Sequence, residues 1–395
     1  MRRKFDSGFY PVIIAVRTGF HPCHVNVPCL PKKIKNHKNQ RKSASENRKF
    51  NERLVISEVS MMKPAHWLWT TLGITLLLLL GVAGFNAWID PLWLFDHAHP
   101  YNSIQAGFNE RQQKTNHLTF TKQQYSSLVL GSSRVTYIDQ QEFSPGPTYN
   151  YAVNNMLPYE YADYIDYAVQ CNGQDFEVIY IGLDFYTTNR NLTLPNRFED
   201  PSFYIQAANK FGYRFWNLLS FDALEYSWQN LQSSQAGLPI NFAYDRHNVK
   251  TLQPTTPEEK EQRIAANLDW YGREAYGGDY EYADITTILT TLKERYPNTE
   301  FVLFTTPIAE PLYQEMIKAG RQGDFQRWLR ECAQVFGQIY DFTTPNSVTR
   351  DLEYFYDASH VYPAVGTWMA HRVSGVEDPS IPEDFGRVVK AAPLP

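Results

Sequence analysis

The sequence predicts an α/β protein: a three-layer domain built on a parallel sheet, carrying an aromatic-rich insertion and preceded by one transmembrane helix. Three observations predict it. Short apolar runs that end in Gly or Pro alternate with stretches of helical period through residues 126–375, the pattern of a parallel sheet covered on both faces. The stretch at about 186–280 breaks that alternation and is rich in aromatic and polar residues. Residues 67–89, WLWTTLGITLLLLLGVAGFNAWI, hold no charged side chain and are long enough to cross a bilayer as a helix.

Composition narrows the function classes. The chain has 395 residues, 43% hydrophobic and 20% charged, a globular balance, and its net charge of −5 argues against a general nucleic-acid binder. Cys23, Cys29, Cys171 and Cys332 form neither a disulfide scaffold nor the paired short spacings of a zinc ribbon. The charge is unevenly divided: residues 1–63 carry 14 Lys and Arg against four acids, and the remainder carries 23 against 38. Such asymmetry places the two parts in different surroundings.

Taken in order, residues 1–63 read as a basic, disordered cytoplasmic tail, or as a segment ahead of a natural start at Met61 or Met62. Residues 64–89 are the anchor. Trp67, Trp69, Trp88 and Trp93 stand at its two ends, where indoles favour the membrane interface. A cleaved signal peptide is the rival reading, but no small-x-small cleavage site follows the leucine run. Basic residues before the span and Asp90 and Asp96 after it orient the chain: N-terminus in the cytoplasm, residues 90–395 outside, in the periplasm if the cell is Gram-negative. Residues 90–125 read as a juxtamembrane linker. Strands are expected at Ser126–Gly131, Tyr149–Val153, Glu177–Leu183, Glu300–Thr305 and Gln338–Phe342. Helices are expected at Tyr159–Val169, at Ile285–Tyr296 behind Asp284 as candidate N-cap, at Pro311–Ala319 and at Phe325–Phe336. The insertion has helix-like pieces near 203–230 and 257–268, and residues 376–395 form a C-terminal tail. Cys171 and Cys332 could pair in an oxidising compartment; two free thiols are the alternative.

Two motifs carry chemistry. Gly131-Ser132-Ser133-Arg134 follows the first strand of the domain, where a serine can sit near backbone N–H groups able to face an oxyanion. Asp357-Ala358-Ser359-His360 follows the last predicted strand, and its Asp and His can lie on one turn, the His as base and the Asp as its orienting partner. Each motif alone is common in ordinary turns and surfaces.

Together, in this order and placement, they resemble the SGNH, or GDSL-like, hydrolase family, in the form of its anchored extracytoplasmic members with a Gly-Ser-Ser first block. The resemblance covers about residues 126–183 and 300–372. It implies Ser133 as nucleophile, Asp357 as orienting acid and His360 as base, with no metal or organic cofactor. It also implies an oxyanion hole from a Gly amide and an Asn side chain. Asn150-Tyr151-Ala152-Val153-Asn154-Asn155 is similar to the Gly block, with the Asn155 amide as a donor. The Asn block falls on Gly182-Leu183-Asp184-Phe185, where Asp184 replaces the Asn. An ionised carboxylate repels an oxyanion. Asp184 therefore has another role, such as holding Arg134, or the hole uses Asn154 or Asn155, or the protein is catalytically weak.

What the resemblance implies for function is a membrane-anchored serine acyl-esterase or O-acyltransferase acting on cell-envelope or exported polysaccharide. The alternative is an inactive glycan-binding or export-complex subunit, with a membrane acyltransferase or polymerase as partner. The remaining signals read plainly: Asp96-His97-Ala98-His99 as a polar juxtamembrane segment, Asp245-Arg246-His247 as a surface turn, and Phe203–Trp228 as a packed helical subdomain in preference to a sugar-stacking surface.

Overall fold

The computed structural model describes residues 63–392, apart from residues 195, 197, 240, 241 and 254. The expected basic tail and the alternative start at Met61 or Met62 lie outside the described residues.

Helix α1 spans Pro64–Ile89, with Pro at its first turn, where a missing N–H costs no hydrogen bond. Among the described residues it is the helix long and apolar enough to cross a membrane. Its end is not free. Asn86, Ile89 and Asp90 are buried, and the chain turns at Asp90 in the left-handed region (φ 54°). The Asp90 carboxylate accepts the amides of Leu94 at 2.7 Å and Phe95 at 3.0 Å. It also receives Arg246 Nη2 at 2.7 Å. The turn expected at 245–247 thus delivers a buried ion pair rather than a solvated surface group.

Residues 90–125, expected as a linker, are a packed part of the domain. They contain strand β1 (Gln105–Ala106) and helix α2 (Glu110–Phe120), capped by Asn109, whose side chain accepts the Gln112 amide. Helix α2 has no apolar stripe, yet Arg111, Gln113, Lys114, Thr115 and Asn116 are buried, each bonded to polar partners.

The main sheet is mixed, with most of its strands parallel. Strands β2 (Ser127–Leu130), β3 (Thr148–Asn150) and β4 (Val178–Leu183) are followed, beyond the insertion, by β7 (Glu300–Thr305), β8 (Gln338–Asp341) and β9 (Arg387–Lys390). Their spatial order is β3-β2-β4-β7-β8-β9. The first five are parallel, and β9 runs antiparallel to β8. The expectation of a purely parallel sheet is thereby corrected, and Arg387–Lys390, expected within a C-terminal tail at 376–395, form its edge strand. The tail returns to close the edge, with Arg387 binding Asp341 at 2.8 Å. Every residue of β2 and β4 is buried, so helices and turns cover both faces. Helices α3 (Tyr161–Asn172), α8 (Thr286–Arg295), α9 (Glu310–Lys318), α10 (Gln322–Phe336) and α11 (Pro363–Ser374) connect the strands. The N-cap of α8 is Ile285, which makes no side-chain cap bond; the expected cap Asp284 stands one residue earlier and accepts the Thr286 amide at 2.7 Å. Strand β3 stops at Asn150, short of the expected Val153, because residues 151–155 leave the sheet as a loop. Cys171 and Cys332 are free thiols.

The insertion folds as α4 (Pro201–Asn209), α5 (Tyr213–Trp216) and α6 (Phe221–Ala236), then strands β5 (Phe242–Tyr244) and β6 (Lys250–Leu252) and helix α7 (Pro257–Trp270). Strands β5 and β6 pair antiparallel, and β1 joins β5 in a separate small sheet. The expectation of a packed aromatic subdomain fails between α4 and α6. Several aromatic rings there are exposed, while the backbone at Leu218 and Ser220 is held by Asn86 of α1.

Candidate functional site

The C-terminal ends of β2, β3, β4 and β7 lie side by side, the position where open α/β sheets collect functional groups. Strand β2 ends at Gly131. Its φ is +152°, and a Cβ there would lie 2.4 Å from Val135 Cγ2 and 2.9 Å from the Gly182 carbonyl oxygen. Only glycine fits this approach of two strand ends. The two serines that follow are distinguished by the structure. Ser132 is buried, and its Oγ accepts the Arg134 amide at 3.3 Å. Ser133 Oγ instead faces His360 Nε2 at 2.9 Å.

His360 and Asp357 come from the loop before α11, closed by the Phe355–Val361 bridge and by the Tyr356 amide donating to the His360 carbonyl. His360 Nδ1 is 2.8 Å from Asp357 Oδ2. A carboxylate only accepts, so Nδ1 carries the proton and Nε2 is left to accept from Ser133. Asp357 Oδ1 accepts the amides of Ser359 at 2.7 Å and His360 at 2.8 Å. Burial opposes the Asp357 charge, but the His360 ring and these hydrogen bonds outweigh it and hold its carboxyl at about 2. The structure therefore brings Ser133, His360 and Asp357 into one hydrogen-bonded line.

Arg134 and Asp184 form a buried pair beside that line. Arg134 Nη1 is 3.1 Å from Asp184 Oδ1, and Nη2 donates to the Tyr271 hydroxyl at 2.8 Å. Thr306 Oγ1 donates to the same Asp184 oxygen. The guanidinium also lies over the Tyr186 and Tyr271 rings, at 5.0 and 5.3 Å. Burial works against its charge, and Tyr271 and Asp184 more than compensate, so its pKa is raised. Asp184 is thus occupied with Arg134, the first of the roles open to it from the sequence.

Asn154 and Asn155 sit on the loop beyond β3, which the Val153 amide fastens to the Gly131 carbonyl at 3.1 Å. The Asn154 amide is already used, donating to Glu110 Oε2 at 3.0 Å. Asn155 has φ 51°, and its carbonyl accepts from Arg111. Among the described residues, the amides of Ser133 and Asn155 have no protein acceptor.

Four residues that bear on this site escaped the sequence. Glu110 of α2 accepts from Lys250 Nζ at 3.0 Å and from the Tyr244 hydroxyl at 2.7 Å. Lys250 Nζ also donates to Thr136 Oγ1 at 2.9 Å, and Thr136 Oγ1 donates to the Ser133 carbonyl at 2.6 Å. Burial raises the Glu110 pKa, and Lys250 and Lys114 overcome this to lower it. The fourth, Tyr271, comes from the turn after α7. A signal for α2 did exist: Asn109-Glu110 is a helix-start pair.

Cavities of about 570 Å³ and about 500 Å³ lie away from Ser133, the first among Lys293, Phe301 and Tyr340, the second among His97, Tyr125 and Arg246. The His360 side chain is 21% exposed. No protein-family model matches the chain, and a search of curated proteins finds no significant match either.

Proposed function

We propose that the chain is a membrane-anchored acyl-transfer enzyme of SGNH-like type, an esterase or O-acyltransferase acting outside the cytoplasm on acylated cell-envelope or exported polysaccharide. The observation that carries the reading is the line from Ser133 Oγ to His360 Nε2 (2.9 Å) and from His360 Nδ1 to Asp357 (2.8 Å). His360 takes the Ser133 proton as Oγ attacks the acyl carbonyl carbon. The oxyanion faces the amides of Ser133 and Asn155. Collapse breaks the bond to the leaving oxygen, which receives the proton from His360, and leaves an acyl group on Ser133. Water or a sugar hydroxyl then gives its proton to His360 and attacks the acyl carbon; the bond to Ser133 Oγ breaks, and Oγ takes the proton back from His360. Asp357 stays ionised throughout and stabilises the charged imidazole. The extracytoplasmic placement is supported by the basic residues before α1 and the acidic ones after it.

A second reading, a non-catalytic SGNH-like subunit that binds glycan or an export partner, is favoured by Asp184, which stands where the family has an oxyanion Asn. Treating the full chain in detergent with a fluorophosphonate, followed by peptide mass spectrometry, separates the two. An adduct on Ser133 that disappears in His360→Ala is expected. A folded chain that takes no adduct would favour the non-catalytic reading.

A further inference from the structure

The stretch from the end of α4 to the first residue of α6 exposes large rings to an unusual degree: Phe211 is 99% exposed, Phe221 77%, Trp216 71% and Phe215 67%. Single exposed apolar residues are ordinary; four within eleven consecutive positions mark a surface that meets something apolar.

That stretch is fastened to the membrane helix. Asn86 Nδ2 donates to the carbonyls of Leu218 at 2.9 Å and Ser220 at 3.3 Å, and Asn86 Oδ1 accepts from Ser227 Oγ at 2.9 Å. Arg214 lies 4.2 Å over the ring of Phe95, just past the anchor. The position of Asn86 along the span decides what the rings touch. Lys63 marks one end of the apolar stretch. From Ala65 to Gly81 every side chain is exposed, and burial begins at Val82. A bilayer core needs about 20 helical residues. Counted from Ala65 it ends at about Gly84, within one turn of Asn86. The backbone that flanks the exposed rings is therefore bonded to the helix where hydrocarbon gives way to headgroups, the depth at which Trp is enriched and at which interfacial segments bury Trp, Phe and Leu.

We propose that Phe211, Phe215, Trp216 and Phe221 form a second membrane contact, inserted at the acyl-chain and headgroup boundary of the bilayer that α1 crosses. The inference rests on the membrane-spanning reading of α1 and is independent of the serine chemistry. Two attachments, one spanning and one lying in the interface, fix the tilt of the domain over the membrane, which a lone helix does not.

The test places the full chain in liposomes of phosphatidylcholine doped with an analogue that carries a diazirine on its acyl chain. After illumination, labelled residues are mapped by peptide mass spectrometry. Label on residues 211–221 as well as on α1 is expected. The triple variant Phe211→Ser, Phe215→Ser, Phe221→Ser should lose most of the 211–221 label and keep that on α1; since all three side chains are exposed, folding is retained. Label confined to α1 in the unmutated chain overturns the proposal and leaves the span intact. Label on neither segment overturns both. Cross-linking of residues 211–221 to a second copy, in place of lipid, also overturns it.

Discussion

Lys250 Nζ lies 3.0 Å from Glu110 Oε1, joining strand β6 of the insertion to helix α2. The pair is buried, and each partner continues to the site: Lys250 through Thr136 to the Ser133 carbonyl, Glu110 to the Asn154 amide. One ion pair thus holds both the serine turn and the loop expected to face the oxyanion. Neither residue belongs to the two motifs.

Removing one partner strands a buried charge. Lys250→Met is expected to cost about 3–5 kcal/mol, read by urea unfolding of the solubilised full chain. Pairing it with Glu110→Gln should recover part of that loss, since the amide oxygen still accepts from Tyr244 while the carboxylate that lost its Lys250 partner is gone. A double variant as unstable as Lys250→Met would show that the cost is not electrostatic.

The two serines should separate in activity. Ser133→Ala and His360→Ala are each expected to lower ester hydrolysis by about 10³-fold or more, with little change in unfolding, because the reacting groups act as a unit. Ser132→Ala should retain most of the activity, since its Oγ accepts a backbone amide and does not face His360. Rates on a chromogenic acetyl ester measure all three, and a dead Ser132→Ala alongside an active Ser133→Ala would reverse the assignment.

Asp357 sets an acid limit. Its folded pKa of about 2 lies below the ordinary 3.8, so ionised Asp357 stabilises the fold above the ordinary value. That contribution, about 2 kcal/mol, is lost as pH falls through 4 toward 2. Urea unfolding at pH 5 and pH 2.5 should show a steeper loss for the unmutated chain than for Asp357→Asn. Equal slopes would remove the depressed carboxyl from the account.

Gly131 is the tightest point of the serine turn. Gly131→Ala places a methyl 2.4 Å from Val135 Cγ2, at a φ that L residues rarely adopt. The expected result is a loss of about 1–3 kcal/mol together with a fall in fluorophosphonate labelling, as Ser133 shifts from His360. Adding Val135→Ala should return some stability by making room; unchanged labelling in Gly131→Ala would mean that the turn tolerates the strain.

What was legible from sequence follows from local pattern. Glu300–Thr305 reads as a strand because six residues of period and composition suffice, and the structure places β7 there. Ser133, Asp357 and His360 could be singled out because each sits in a short motif after a strand. The edge strand Arg387–Lys390 could not, since it is mostly exposed and acquires its partners only when the chain returns to β8. Helix α2 looked like a linker because its buried face is polar. Arg111, Lys114 and Glu110 are acceptable inside the protein only where Glu160, the Asn150 carbonyl and Lys250, 49, 36 and 140 residues away, complete their hydrogen bonds. The sequence by itself determined the apolar segments, the turns and the motifs that hold the candidate groups, because these depend on near neighbours. Tertiary structure alone decided which polar groups could be buried, because a buried charge depends on partners brought from elsewhere in the chain.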